Sequence, residues 1–216
     1  MIICDLGSGN SCKNDVNIAR EMVMELAKLR IPGLVIKWQL FKSAGDNVPL
    51  DLNIFDSAYH FAMTNFGIPT TASVFDKESL DFLLTYNVPF VKIANSIKSK
   101  ELMSNIKMEQ KVIISTDVPN YMDFKPNQLL YCISKYPATM KEYEDKFCDK
   151  LHEGISDHTT NFDMFNKYQP KVYEFHFKLD STTGLDAGEF ARTPSEISAW
   201  LAPKKIDLAE VLRTAE

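Results

Sequence analysis

The amino-acid sequence predicts a closed (β/α)₈ TIM barrel, an α/β fold, and three observations carry that reading. Eight short apolar runs recur along 216 residues, with amphipathic stretches between them. The runs are nearly continuous and rich in β-branched and aromatic residues, as strands covered on both faces by helices require. Eight such units in alternation suit a barrel; the other arrangement, an open doubly wound sheet, lacks its usual glycine-rich phosphate loop here.

In chain order, the expected strands are MIICDLG (1–7), LVIKWQLF (34–41), PTTASVF (69–75) and PFVKIANS (89–96). They continue with KVIISTD (111–117), QLLYCIS (128–134), HEGISD (152–157) and KVYEFHF (171–177). Apolar residues at three- and four-residue spacing predict helices over 16–29, 54–66, 77–86 and 139–151. SEISAWL (195–201) opens after Pro194 with Ser195 as its cap, and DLAEVLRTAE closes the chain after the segment's own Asp207. The chain is short for a fold of about 250 residues. The saving falls in two places: VPNYMDFKPN (118–127), with two prolines and no helical period, reads as a loop in place of a helix, and TNFDMFNKY (160–168) as a brief one. No linker or repeat divides the chain, so one domain over 1–216 is expected.

Composition narrows the function. A net charge of −5 offers no basic face to nucleic acid or to an anionic membrane. No apolar run approaches a membrane span, and Met1 leads directly into a strand, so neither signal peptide nor anchor is expected and the cytoplasm is the expected location. Cys4, Cys12, Cys132 and Cys148 include no CxxC pair, and buried free thiols are expected rather than disulfides or zinc.

Residues two apart on a strand share a face. In KVYEFHF, Tyr173, Phe175 and Phe177 form the face for the helices, which turns Val172, Glu174 and His176 into the barrel. A Glu and a His aimed inward cost several kcal/mol unless paired or ligated. By the same parity Ser156 goes with His158, and Ile3 with Asp5. Asp5, His158 and His176 therefore converge where barrel enzymes keep their chemistry, at the carboxyl ends of neighbouring strands. Two imidazoles and a carboxylate suit Mn²⁺, Fe²⁺, Co²⁺ or Zn²⁺, or else form a buried His–Asp pair without metal. His60 and His152 lack that placement and read as structural or solvent-facing. Lys37 shares a face with Gln39, and Lys92 with Ala94. With the hydroxyls of Ser73, Ser115 and Ser156 these lysines suit a phosphate or carboxylate, or else snorkel from strand ends.

Those residues lie in motifs that resemble the N-acetylneuraminate (sialic acid) synthases over nearly the whole chain. GISDHT (154–159), YEFHF (173–177) and GLDAGEF (184–190) are the most specific, supported by ICDLG, VIKWQ, VKIANS, VIISTD and CISKYP in the same order. The resemblance implies condensation of phosphoenolpyruvate with N-acetylmannosamine, releasing phosphate and forming a nine-carbon α-keto acid. It implies a divalent metal, Mn²⁺ with Mg²⁺ or Co²⁺ as alternatives, on His158 and His176, with Asp5 at the family's Glu position. Lys37, Ser73, Lys92, Ser115 and Ser156 fall where the family holds phosphoenolpyruvate. Gln39, Tyr136, Glu174 and Asp186 fall where it holds the sugar, Asp186 as the acid nearest the sugar hydroxyls and aldehyde oxygen.

The sequence also departs from the family's pattern. Ile97 replaces a catalytic Glu, Asn95 a phosphate-binding Ser, and Ser134 an Asn. The C-terminal antifreeze-like domain, which sends an Arg into a partner's site in a family homodimer, is expected to be missing, since thirty residues follow Asp186. Asp117, where the family has Gly, either takes over acid–base duty from position 97 or caps the loop before Val118-Pro119. Two rival functions remain open: the same phosphoenolpyruvate chemistry on another aldose or phosphosugar, and a non-catalytic barrel binding a sugar or a partner.

Overall fold

In the computed structural model, which describes residues 1–117, 129–145 and 154–202, nine strands form one sheet that closes on itself. β1 (Ile2–Asp5), β2 (Leu34–Leu40), β3 (Thr70–Val74), β4 (Val91–Ile93), β5 (Val112–Thr116), β6 (Leu129–Cys132), β7 (Gly154–Asp157) and β8 (Val172–Phe177) lie side by side in parallel. β8 pairs back onto β1, with His176 opposite Asp5, and a two-residue β9 (Ala191–Arg192) joins the mouth end of β8. The eight expected strands are the eight barrel strands.

Helices α1 (Gly9–Cys12), α2 (Val16–Leu29), α3 (Leu52–Phe66), α4 (Lys77–Leu83), α5 (Ile97–Glu101), α6 (Met140–Glu144) and α7 (Asp163–Tyr168) alternate with the strands, and α8 covers 194–202. Aspartates cap α2, α3 and α4: Asp15 accepts from the amides of Asn17 and Ile18, Asp51 from Asn53, and Asp76 from Ser79. α8 corrects one expectation. It opens at Pro194, not after it, and its cap is Thr193, whose hydroxyl accepts from the Glu196 amide while Glu196 accepts from the Thr193 amide at 2.8 Å. Proline fits the first helical position because its missing N–H would have had no partner there. The loop expected over 118–127, the helix expected over 207–216, Cys148 and His152 lie outside the described residues, as do residues 146–151 of the helix expected over 139–151.

The interior has two levels. Ile3, Val35, Phe90, Ile113 and Leu130 pack with Val172 as an apolar plug at the amino-terminal end. The next inward residue on each of these strands is polar or a thiol: Asp5, Lys37, Lys92, Ser115, Cys132 and Glu174, all buried. Gly154 is required at the plug, because a Cβ there would strike Leu130 and come within 2.8 Å of the Val172 carbonyl. Tyr173, Phe175 and Phe177 belong to the other core, between strands and helices, as the alternation in KVYEFHF requires. Cys4, Cys12 and Cys132 are buried free thiols, and among the described residues no helix is long and apolar enough to cross a membrane.

Candidate active site

Above the plug, the carboxyl ends of all eight strands surround a cavity of about 240 Å³. Its floor is an ion cluster. Lys37 donates to Asp5 at 2.6 Å and to Ser73 at 3.1 Å, and Gln39 donates to the same Asp5 oxygen at 2.9 Å. The other Asp5 oxygen accepts from the Gly7 amide. Lys92 donates to Ser115 at 2.6 Å. Between the two ammonium groups lies one oxygen of Glu174, 3.6 Å from Lys37 and 3.7 Å from Lys92, which also accepts from Ser156 at 2.8 Å. The second Glu174 oxygen is buried without a hydrogen-bond partner.

Burial and charge set the protonation of this floor. Burial alone would favour a neutral Asp5, but Lys37 and then His176 outweigh it and hold the carboxyl well below the usual range. For Lys37, burial is overcome by Asp5 and Glu174, so its pKa stays above that of an ordinary lysine. For Lys92, burial wins over Glu174 and Lys37 adds repulsion, so its pKa is lowered. Cys132, in the cavity wall, has its thiol pushed up to about 11 by burial.

On one side of the cavity stand the two imidazoles, with ring centres 5.3 Å apart. His158 Nδ1 lies 2.6 Å from the Ile133 carbonyl, so that nitrogen carries the proton and Nε2 keeps its lone pair, 3.5 Å from Ser156 Oγ. The backbone around His158 is pinned from behind by Tyr143, whose hydroxyl donates to the Ser156 carbonyl and accepts from the His158 amide. His176 Nδ1 is buried without a hydrogen-bond partner, 3.7 Å from Asp5. Burial lowers the pKa of both rings, that of His158 further because His176 and Lys37 repel its proton, so both are neutral at pH 7. Tyr136 lies over His158 at 4.1 Å between ring centres and edge-on to His176, with half its surface open to solvent.

Thirteen residues singled out from the sequence line this cavity: Asp5, Lys37, Gln39, Ser73, Lys92, Asn95, Ser115, Ser134, Tyr136, Ser156, His158, Glu174 and His176. Asn95 and Ser134, the positions with exchanged residue types, hydrogen-bond each other at 3.1 Å. Asp186 lines an adjoining, outer pocket of about 580 Å³ that shares Gln39, Tyr136 and His176 with the cavity. One Asp186 oxygen accepts from the Ser8 amide, the Ser8 hydroxyl and the Ser11 hydroxyl, each at 2.8 Å, which fixes the carboxylate against the turn after β1. Gly7, at φ +77°, permits this approach, since a Cβ there would sit 2.5 Å from Asp186. Asp117 is exposed just past β5 and is not among the cavity-lining residues, though its charge reaches Cys132. Position 97 opens α5.

The two imidazoles fit a divalent ion in their chemistry: neutral, buried, with His158 oriented through its other nitrogen. Asp5 is otherwise engaged, with Lys37, Gln39 and Gly7. Among the described residues no group of three or more His, Cys, Asp or Glu is placed to hold a metal ion. Any site here is a two-histidine one that substrate or water must complete.

Sequence reading missed the supports behind these groups. Tyr143 and the Ser8–Ser11 turn carry no motif by themselves. Arg192 is fully buried on β9, donating to the carbonyls of Thr159, Phe190 and Asn161, 3.8 Å from Asp157, and so ties the segment after His158 to the one beside His176. The outer pocket's aromatic walls, Phe41, Phe75 and Phe190, were also missed, although the first two follow the ends of β2 and β3 and the third precedes β9.

The NeuB family model matches residues 58–205. A comparison with curated protein sequences yields no match. Among solved structures, an N-acetylneuraminic acid (sialic acid) synthetase from Leptospira borgpetersenii serovar Hardjo-bovis in complex with citrate aligns over 98% of this chain and 84% of its own, with 20% identity and a TM-score of 0.68. The spore coat polysaccharide biosynthesis protein spsE of Bacillus subtilis aligns over 99% of this chain and 69% of its own, with 18% identity and a TM-score of 0.73. A truncated 3-deoxy-D-arabino-heptulosonate 7-phosphate synthase from Thermotoga maritima aligns over 98% and 87%, with 11% identity and a TM-score of 0.60. At such identities the likeness establishes the barrel fold.

Proposed function

This chain belongs to the NeuB family, and from that premise we propose that it is a sugar-acid synthase condensing phosphoenolpyruvate with an uncharged aldose such as N-acetylmannosamine. The observation that carries the reading is the pair of buried ammonium groups, Lys37 and Lys92, set on the floor of a cavity whose wall holds two neutral imidazoles. Ammonium groups on a water-poor floor bind a phosphate or a carboxylate strongly, because little solvent screens them. The hydroxyls of Ser73, Ser115 and Ser156 supply further donors.

With the enol held there, its C3 is presented toward the outer pocket, where the aldehyde sits. The new bond joins C3 to the aldehyde carbon, whose oxygen takes a proton. Water adds at C2, phosphate leaves with its bridging oxygen, and the α-keto acid remains. Asp186, fixed by Ser8 and Ser11, accepts from sugar hydroxyls. Glu174, at the base of the cavity, bridges the two lysines through one oxygen, and its second oxygen is buried with no hydrogen-bond partner among the described residues. Asp117, exposed past β5 and outside the cavity lining, is a poor stand-in for the acid–base function absent at position 97; a large loss of condensation in Asp117→Ala would restore that role. His158 and His176 would hold a divalent ion, Mn²⁺ by preference, which supplies Lewis-acid polarisation of the aldehyde when bound.

The outer pocket also distinguishes acceptors. Among the described residues lining it there is no lysine or arginine, while Phe41, Phe75, Tyr136 and Phe190 give it apolar walls. A phosphosugar would find no cation for its second phosphate there, which supports the uncharged acceptor over the rival. Phosphate release measured with Mn²⁺, phosphoenolpyruvate and a panel of aldoses is the test. Release with N-acetylmannosamine or another N-acyl aldose is expected; release with phosphosugars alone, or with none, would overturn the reading.

A further inference from the structure

Lys37 and Lys92 are joined by a third lysine at the cavity's edge. α5 opens at Ile97, with Ser96 as its cap and the Lys100 amide donating to the Ser96 carbonyl at 3.1 Å. That single turn brings the Lys100 side chain back beside the end of β4, where its ammonium donates to the amide oxygen of Asn95 at 3.1 Å. Asn95 in turn donates through its amide nitrogen to Ser134 Oγ, also at 3.1 Å, reaching from the end of β4 to that of β6. Asn95 and Ser134 both line the cavity; Lys100 does not.

The order of donors matters. An ammonium can only donate, so the Asn95 oxygen must face Lys100 and its NH₂ must face Ser134 and the cavity. Ser134 accepts from that NH₂, which leaves the hydroxyl's own proton to donate elsewhere. Ammonium, amide and hydroxyl thus point their donors one way, and each polarises the next. Without the ammonium nothing on the described side chains forces that choice: a flipped Asn95 would offer its oxygen to the cavity and repel an anion there.

We propose that Lys100 is a positioning residue, which fixes the Asn95 amide so that the Asn95–Ser134 pair presents donors, not acceptors, to an anionic ligand. This rests on reading the cavity as a phosphoenolpyruvate site. Titration of the protein with inorganic phosphate and with phosphoenolpyruvate, followed by calorimetry, tests it. Lys100→Met is expected to bind both about tenfold more weakly, as loss of a hydrogen bond from a charged group implies, while its melting temperature without ligand matches the wild type. Lys100→Arg, which keeps the donor, is expected to restore most of the affinity. Because Lys100 acts through Asn95, adding Lys100→Met to Asn95→Ala is expected to cost nothing further. Unchanged binding in Lys100→Met overturns the inference, and so does a full tenfold loss in the Asn95→Ala background. A wild type that binds neither anion would fail the site itself, an outcome separate from normal wild-type binding with no effect at Lys100.

Discussion

Glu174→Gln keeps the shape of the side chain and its bond from Ser156 while removing the only charge between two buried ammonium groups. At 3.6 and 3.7 Å, and with an effective dielectric constant of about 20, each attraction is worth roughly 4–5 kcal/mol before desolvation is counted. Breaking a buried pair by neutralising one partner costs about 3–5 kcal/mol net, and the cavity's access to water favours the lower end. For a chain of this size, about 3 kcal/mol lowers the melting temperature by roughly 6–12 °C. The pH dependence gives the loss a signature. Lys92 already has a lowered pKa because burial outweighs Glu174, and removing Glu174 lowers it further. Between that value and the unfolded lysine's, about 10.4, the unfolded chain binds more protons than the folded one, so stability rises with pH in this window. Calorimetric melting of both proteins from pH 7 to 10 should show a deficit that is largest at pH 7 and narrows toward pH 10. A melting temperature within a degree of the wild type at pH 7, or a deficit independent of pH, would refute the ion-cluster argument.

Two further predictions concern groups that the chemistry does not touch. Arg192→Met leaves the carbonyls of Thr159, Phe190 and Asn161 without their donor and Asp157 without its nearby cation, and is expected to cost about 3–5 kcal/mol in urea unfolding; a loss below about 1 kcal/mol would mean that the segment after His158 is held by other contacts. Cys132, its thiol pushed up to about 11, should react with iodoacetamide at pH 7.5 at a rate on the order of a hundredfold below a free thiol, rising with pH toward 11. Peptide mapping that finds Cys132 labelled as fast as an exposed thiol would contradict its placement.

Most of the barrel was legible because strand alternation is local. KVYEFHF announces its two faces within seven residues, and the structure puts Tyr173, Phe175 and Phe177 against the helices and Glu174 and His176 inside. The inward lysines could be read in the same way, since a charge in an otherwise apolar run has one economical place to go. What stayed hidden acts between elements distant in sequence. Nothing in the spacing of Tyr143 shows that its hydroxyl holds the backbone of His158, and nothing near Arg192 shows that three carbonyls from two loops will converge on it. Asp5 marks the limit of parity arguments: alternation along the strand puts it on the inward face beside His176, but does not show that Lys37 and Gln39 on the next strand are its hydrogen-bond donors. Thr193 and Ser195 were equally good caps by residue type, and only the backbone geometry separates them.

The central claim, that one cavity holds phosphoenolpyruvate on Lys37 and Lys92 and a divalent ion on His158 and His176, is tested most directly by diffraction at the manganese edge from a crystal grown with Mn²⁺ and phosphoenolpyruvate. A single anomalous peak shared by the two imidazoles, with phosphate density against both ammonium groups, is the predicted result. Manganese bound elsewhere, or ligand density that avoids the two lysines, would contradict it.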